Sequence, residues 1–441
     1  MRRVLMVSPH FPPDSSAATH RVRLLAPHLA AWGWEPTVLT VDPSSYDGGL
    51  DPELPRTVPS SLRVVRCRAL PLRLTRAVGI GDLGLRSLPA LYRAASRLLD
   101  TERFDALFIT IFPAYTAILG PWLSKRFGVP FVVDYQDPWV SAWGVAAGGG
   151  PGGRVDFKSR ASRRLAEWLE PRVVRAASAI TAVSEGTYEP ILRRNPRIHP
   201  ITEAIPIGAD PKDFEARSDE PPMDVFDPGD GLVHVASTGA LLPLGIETLR
   251  AVLRAVALLR DRDAGLYARL RFHFIGTSNQ SATSAAERVM PLARELGVAD
   301  VVRERPARLP YSAIVRVQRQ ASVLLAMGSS EPHYTASKIY PLLLAKRPIL
   351  AAYHEASSVT DVLRRVARPP SVRLVTYDEH ARVETKVADL RTALADLVTT
   401  PCWSAEDCDM QALGPFLAEA LAGRLASVFD RAAKAAKGRA A

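Results

Sequence analysis

Two carboxylates, Asp134 and Asp137 in "DYQDPW", stand where an apolar strand runs out into a turn enforced by Pro138. At a strand end a carboxylate can accept a proton from a substrate hydroxyl or hold a sugar. Asp137 lies further out of the strand and is the stronger catalytic candidate, with Asp134 second; one of the two could instead cap the turn. A second constellation is "EPHYTASK", where Glu331, His333, Tyr334 and Thr335 form a polar loop ahead of Ser337 and Lys338. There a helix begins that Ser337 or Thr335 can cap. Free helix amides beside an ammonium suit a diphosphate, because dipole and charge act on the same anion; the other reading of Lys338 is a solvated helix lysine. Gly239 in "STGALLPLG" and Gly276 in "FIGTS" each follow a strand. Glycine there admits close backbone approach to a phosphate or ribose, although turns use glycine in any case. In "SPHFPPDSSAATHRV", Ser16 belongs to a run of small residues that lets a ligand approach, and Arg21 on the first helical turn could reach an anion. The same loop also reads as a plain helix cap. No G-x-G-x-x-G follows that strand, which counts against a dinucleotide-binding dehydrogenase.

The elements that position these residues alternate. "RVLMVS", "EPTVLTV", "LRVVRC", "ALFIT", "FVVDY" and "AITAVS" are short strands separated by helical patterns, the first of them "THRVRLLAPHLAAWG". Runs that are apolar on both faces predict a parallel sheet covered on both sides. Residues 216–231, "ARSDEPPMDVFDPGDG", are acidic and rich in Pro and Gly, the texture of a linker. The alternation restarts with "VHVAST", "RLRFHFIG", "VVRERP", "VLLAM", "PILAAY" and "SVRLVTY". The fold class is therefore α/β, with two doubly wound Rossmann-like domains: residues 1–215, the linker 216–231, residues 232–410, and a last helix over 411–441 that can pack back on the first domain. A cleft between such domains suits a ligand gripped from both sides. In open parallel sheets ligands bind beyond the carboxyl ends of the strands, which is where the candidate residues lie. The glycine cluster at 146–154 reads as a loop, with an active-site lid as its functional alternative.

The chain of 441 residues is too long for one ordinary core. Its net charge of +10 favours anionic partners. No zinc-ligand spacing, basic region with heptads or aromatic RNA-binding pattern points to nucleic acid. Cys67, Cys402 and Cys408 are too scattered for a disulfide framework or a metal site, which fits a reducing cytoplasm. Residues 106–124 are uncharged for a span long enough to cross a bilayer, but Pro113, Gly120 and Pro121 divide them, and a strand followed by a helix accounts for them. Between residues 68 and 99, Arg68, Arg73, Arg76, Arg86, Arg93 and Arg97 are interspersed with leucines against Asp82 alone. A surface of that kind can lie on anionic lipid at the inner face of a membrane, and helices covering a sheet look similar.

Taken together, "SPHFPPDSSAATHRVRLLAPHLAAWGWEPTVLT", "DYQDPW", "AITAVSEG", "IPIGAD" and the "SK-x-x" helix before "KRPILA" resemble the glycosyltransferase family 4 branch of the GT-B enzymes, over essentially the whole chain. The resemblance implies sugar transfer from a nucleotide donor, a UDP- or GDP-sugar, with retention of configuration and no obligatory metal or other cofactor. It also implies a donor held by the second domain, an acceptor held by the first, and a final helix crossing back. The hydroxyl acceptor would be a cell-envelope glycan, a lipid-linked molecule or a natural product. Three positions depart from the family pattern. A helix glutamate falls on Pro341 and its loop counterpart on His333; the basic pair after the first donor-domain strand is missing from "TGALLPLG"; and a first-domain histidine corresponds to Gln136. Lys338 is then left with much of the diphosphate charge, and Glu331 or His333 with the sugar contacts. The alternatives are a non-catalytic GT-B protein that binds a glycan or a partner enzyme, and a nucleotide-sugar epimerase.

Overall fold

Strands that are apolar on both faces must be covered on both sides, and the first strand shows how. The computed structural model describes residues 1–77, 79–140, 157–216, 223–241, 243–278, 285–329 and 337–440. In β1 (Arg2–Val7), Val4 and Met6 enter one core while Leu5 and Val7 enter another, the alternation of an extended chain. All four are fully buried.

The chain forms two units, one of Met1–Ile207 with Ala418–Ala441 and one of Gly208–Leu417. The first holds a parallel sheet of β1, β2 (Trp34–Val41), β3 (Arg63–Cys67), β4 (Ala106–Thr110), β5 (Phe131–Tyr135), β6 (Ala179–Ala182) and β7 (Ile201–Ala204), in the order β3-β2-β1-β4-β5-β6-β7. The second holds β8 (Val233–Thr238), β9 (Leu270–Ile275), β10 (Val302–Arg305), β11 (Val323–Met327), β12 (Ile349–His354) and β13 (Val372–Tyr377), in the order β10-β9-β8-β11-β12-β13. All the pairings are parallel. Each order reverses once, between β1 and β4 and between β8 and β11. These switch points are where an open α/β sheet offers a crevice.

Three features depart from the expectation. The seventh strand, β7, is half-buried and carries Glu203, so it lacks the apolar run that marks the others. The first helical pattern is an α-helix only over Thr19–Leu25; from Ala26 a 3₁₀ turn with Pro27 runs to Trp32. Residues 223–231, expected as linker, lie against the second unit: Phe226 is buried and stacks on His234 with ring centroids 4.4 Å apart. The unit boundary accordingly falls at Ile207, ahead of the expected 215, and the return falls at Ala418, after Leu413 has joined the second core. Residues 106–124 divide into β4, a 3₁₀ turn at Ala114–Ile118 and the start of a helix, Leu119–Phe127. Among the described residues no helix is long and apolar enough to cross a membrane.

The C-terminal helix, Ala418–Ala440, completes the first unit. Leu421, Leu425, Val428, Phe429 and Ala432 form its buried stripe at helical spacing. Phe429 meets Trp34 edge-on at 5.2 Å and Phe108 at 5.9 Å. Next to it Trp34 Nε1 donates to Asp430 at 2.8 Å, so the indole is both packed and satisfied. Phe429→Ala should therefore cost about 3–5 kcal/mol, read as a lower denaturation midpoint at unchanged slope; a change under about 1 kcal/mol would mean that this contact does not hold the helix.

Candidate functional site

At the second switch point the turn after β8 is built around a missing side chain. Gly239 has φ +97°, and a Cβ there would lie 2.7 Å from both Cε and Nζ of Lys338. Only glycine combines that backbone conformation with so close an approach. The Lys338 ammonium donates to the Ala240 carbonyl at 3.0 Å. Gly276 after β9 is also left-handed, at φ +71°, and its Cβ would lie 3.7 Å from the Gly239 Cα. The two glycine turns thus lie side by side at the carboxyl ends of adjacent strands. A pocket of about 50 Å³ adjoins the first of these turns, lined by Thr238, Gly239, Leu241, Thr277, Gly328 and Lys338.

Burial, and secondarily the charge of Arg308, pushes the Lys338 pKa down to about 8. Among the described residues no carboxylate pairs with this ammonium. A half-buried cation whose acceptor among the described residues is a neutral carbonyl is poised to take an anion, since the anion would repay its lost hydration. The helix that follows is shorter than expected. It runs only over Ile339–Leu344, with Lys338 itself at the N-cap and no side-chain cap bond, so half-buried Ser337 does not cap it. Pro341 is its third residue, where an amide hydrogen has no partner within the helix. The attraction for an anion accordingly rests on the Lys338 charge rather than on a helix terminus. Glu331, His333, Thr335 and the glycine cluster at 146–154 lie outside the described residues.

In the first unit Asp134 and Arg21 find each other. Arg21 Nε and Nη2 donate to the two Asp134 oxygens at 2.9 and 2.6 Å, and Thr181 donates to the same carboxylate at 2.6 Å. The side chains are 1% and 0% exposed. A carboxylate with both oxygens engaged and no access to solvent cannot take a proton from a substrate, and a guanidinium so placed cannot reach an anion in solution. Arg21 spends its remaining nitrogen on the carbonyls of Ile205 and Pro206, at 2.5 and 3.2 Å. Asp137 differs: it stands exposed after β5, where partial desolvation raises its carboxyl pKa, an effect that water access tempers.

Ser16 belongs to a cluster that the sequence reading passed over. Asp14 accepts from His10 Nδ1 at 2.7 Å, from Thr19 Oγ1 at 2.9 Å and from Ser16 Oγ. Burial would raise the Asp14 carboxyl, but these bonds outweigh it and hold the pKa below the ordinary value. The ionised carboxylate can only accept, so His10 carries its proton on Nδ1, and among the described residues Nε2 makes no hydrogen bond. His10 leans on Phe112, which follows β4, at 5.4 Å. An imidazole oriented by a carboxylate, at the first switch point, is the arrangement of a general base. The signal was present as His and Asp four positions apart directly after the first strand.

Residues 16–206 match the family model described as "Glycosyl transferase 4-like domain". The D-inositol 3-phosphate glycosyltransferase of Actinosynnema mirum is 30% identical over 161 residues, 33% of this chain and 38% of its own length. The match therefore spans well under half of that relative. Among solved structures, HepE of Anabaena in complex with UDP-glucose has a TM-score of 0.57 at 14% identity, covering 99% of this chain and 100% of that one. WaaG, a glycosyltransferase involved in lipopolysaccharide biosynthesis, has a TM-score of 0.51 at 15% identity, covering 98% of each chain. At such identities the likeness is one of fold.

Arg21→Ala would leave the Asp134 carboxylate buried without its countercharge. The expected loss is about 3–5 kcal/mol of unfolding free energy, measured by denaturant titration; wild-type stability in this variant would show that the pair is dispensable.

Proposed function

We propose that the protein transfers a sugar from a UDP- or GDP-sugar to a hydroxyl acceptor, a reading supported by the match of residues 16–206 to the glycosyl transferase 4-like model and by two Rossmann-like units with the fold of the GT-B glycosyltransferases. The observation that carries the reading is Lys338 lying over Gly239 at the second switch point, a desolvated cation without a carboxylate partner among the described residues. The second unit is the donor side: Gly239 and Gly276 admit the diphosphate to the backbone, Lys338 neutralises the charge that grows on it as the glycosidic bond breaks, and Ser337, Thr335, Glu331 and His333 lie along the segment that leads to Lys338. The first unit is the acceptor side, with His10 backed by Asp14, and with Asp137, as the groups that orient the hydroxyl.

Retention follows if the leaving phosphate itself guides the hydroxyl on the face it departs from. The protein then contributes position and charge stabilisation, without a nucleophile or a metal. A phosphorylated or lipid-linked acceptor accords with the names of the inositol-phosphate and lipopolysaccharide glycosyltransferases described above. A non-catalytic, glycan-binding role is the second reading, favoured by Pro341 in the helix that follows Lys338.

A nucleoside diphosphate should raise the thermal midpoint by mass action, and a chain that gains nothing from UDP or GDP would sink the proposal. Lys338→Ala should weaken that binding about 10- to 100-fold, the worth of a charge-assisted hydrogen bond, whereas Asp137→Asn should lower turnover more than affinity. Because burial pulls the Lys338 pKa down to about 8 and an anion binds its charged form, affinity should hold below pH 8 and decline as pH rises through it. Lys338→Arg should abolish the decline.

A cytoplasmic location against an anionic membrane surface is part of the proposal. Leu70 and Leu74 are 47% and 70% exposed beside exposed Arg68, Arg73 and Arg76; Arg86, by contrast, is buried against Asp47 at 2.7 Å. Phosphatidylglycerol vesicles should sediment the protein at low salt and release it at high salt, with binding lost in Leu74→Asp; equal binding to neutral vesicles would refute an electrostatic contact.

A further inference from the structure

The turn after β8 contains no basic residue of its own, yet two cations from distant parts of the chain bond to its successive carbonyls. Lys338 donates to Ala240 at 3.0 Å, and Arg288 Nη1 donates to Leu241 at 2.7 Å. Leu241 lines the same pocket as Lys338. It is held on its other side by its backbone N–H, which donates to the Thr277 carbonyl at 2.9 Å, in the turn after β9.

Arg288 is fixed in place from behind. The Glu304 carboxylate on β10 accepts from the backbone N–H groups of Arg288, Val289 and Met290 at 2.9, 3.0 and 2.9 Å, and from the Thr277 hydroxyl. With its backbone so clamped and its side chain half-buried, the guanidinium reaches the turn in a defined direction. Among the described residues it has no carboxylate partner, and the Leu241 carbonyl is its one acceptor. Nε and Nη2 are left without an acceptor there. Among the described residues each of the two cations is thus directed by one neutral oxygen.

We propose that Arg288 is the second cation of the diphosphate site, supplying from the segment before β10 the charge that the β8 turn lacks. This rests on the reading of the second unit as the donor side. A nucleoside diphosphate carries more than one negative charge, and one ammonium is a point charge that cannot fix the orientation of two phosphoryl groups. The guanidinium fork engages two oxygens at once. Lys338 and Arg288 bond to neighbouring carbonyls of one turn, so both can reach a diphosphate bound at that turn.

The test compares wild type, Arg288→Gln and Arg288→Lys by calorimetric titration with UDP, GDP and inorganic pyrophosphate. Glutamine retains an N–H for the Leu241 carbonyl but no charge, so thermal stability of the free protein is expected to stay at the wild-type value. Affinity for the nucleoside diphosphate and for pyrophosphate is expected to fall at least tenfold. Lysine restores charge without the fork and is expected to recover part of the loss; it also serves as the test should the glutamine variant fail to fold. Wild-type affinity in either folded variant overturns the role of Arg288 while leaving the donor site intact. A wild-type protein that binds neither nucleotide nor pyrophosphate overturns the donor-site reading itself.

Discussion

The second unit is organised by an atom that is missing. Without a Cβ at Gly239, the Lys338 side chain can lie against the backbone of the β8 turn, and its ammonium can reach the Ala240 carbonyl. That approach brings Lys338, directly before the Ile339–Leu344 helix, over the switch point between β8 and β11. It also takes the half-buried ammonium partly out of water, which pulls its pKa down. A residue with a side chain at position 239 would have to push the lysine away, and the cation would become an ordinary solvated one.

The same amino-acid type serves opposite ends in the first unit. Asp134 and Asp14 are both buried, but Asp134 is consumed by a bidentate guanidinium and a threonine hydroxyl, whereas Asp14 holds a histidine whose second nitrogen has no hydrogen bond among the described residues. The difference lies in the partner. Arg21 has no proton to exchange and closes the network; imidazole passes the influence of the carboxylate to its far side. The Arg21–Asp134 pair joins the first helix to β5 and to the backbone at Ile205 and Pro206.

What could be read from the sequence was what depends on neighbours along the chain. Both sheets and their parallel character followed from runs such as "ALFIT" and "VLLAM", because burial on both faces leaves a purely apolar stretch. The glycines of two strand-end turns were legible for the same reason. β7 was missed because an edge strand carrying Glu203 lacks that pattern. Asp134, the second catalytic candidate, sits inside "FVVDY"; an acid within a buried strand calls for a cation, and that cation is 113 positions away. The contact of Arg288 with Leu241 spans 47 positions and was equally invisible. The His10–Asp14 pair, by contrast, was local and could have been found. The expected cap at Ser337 failed because the helix starts one residue later than its polar neighbours suggest.

Because residues 418–440 belong to the first unit while 208–417 form the second, the chain writes one unit inside the other. On a ribosome the order of completion is therefore inverted. The first unit begins to emerge first, but its core stays open around Trp34 and Phe108 until the Phe429 helix has been made. The second unit has every residue it needs earlier, although it starts later. For the length of that synthesis the exposed face of the first sheet is the part of the nascent protein that most needs shielding from other chains.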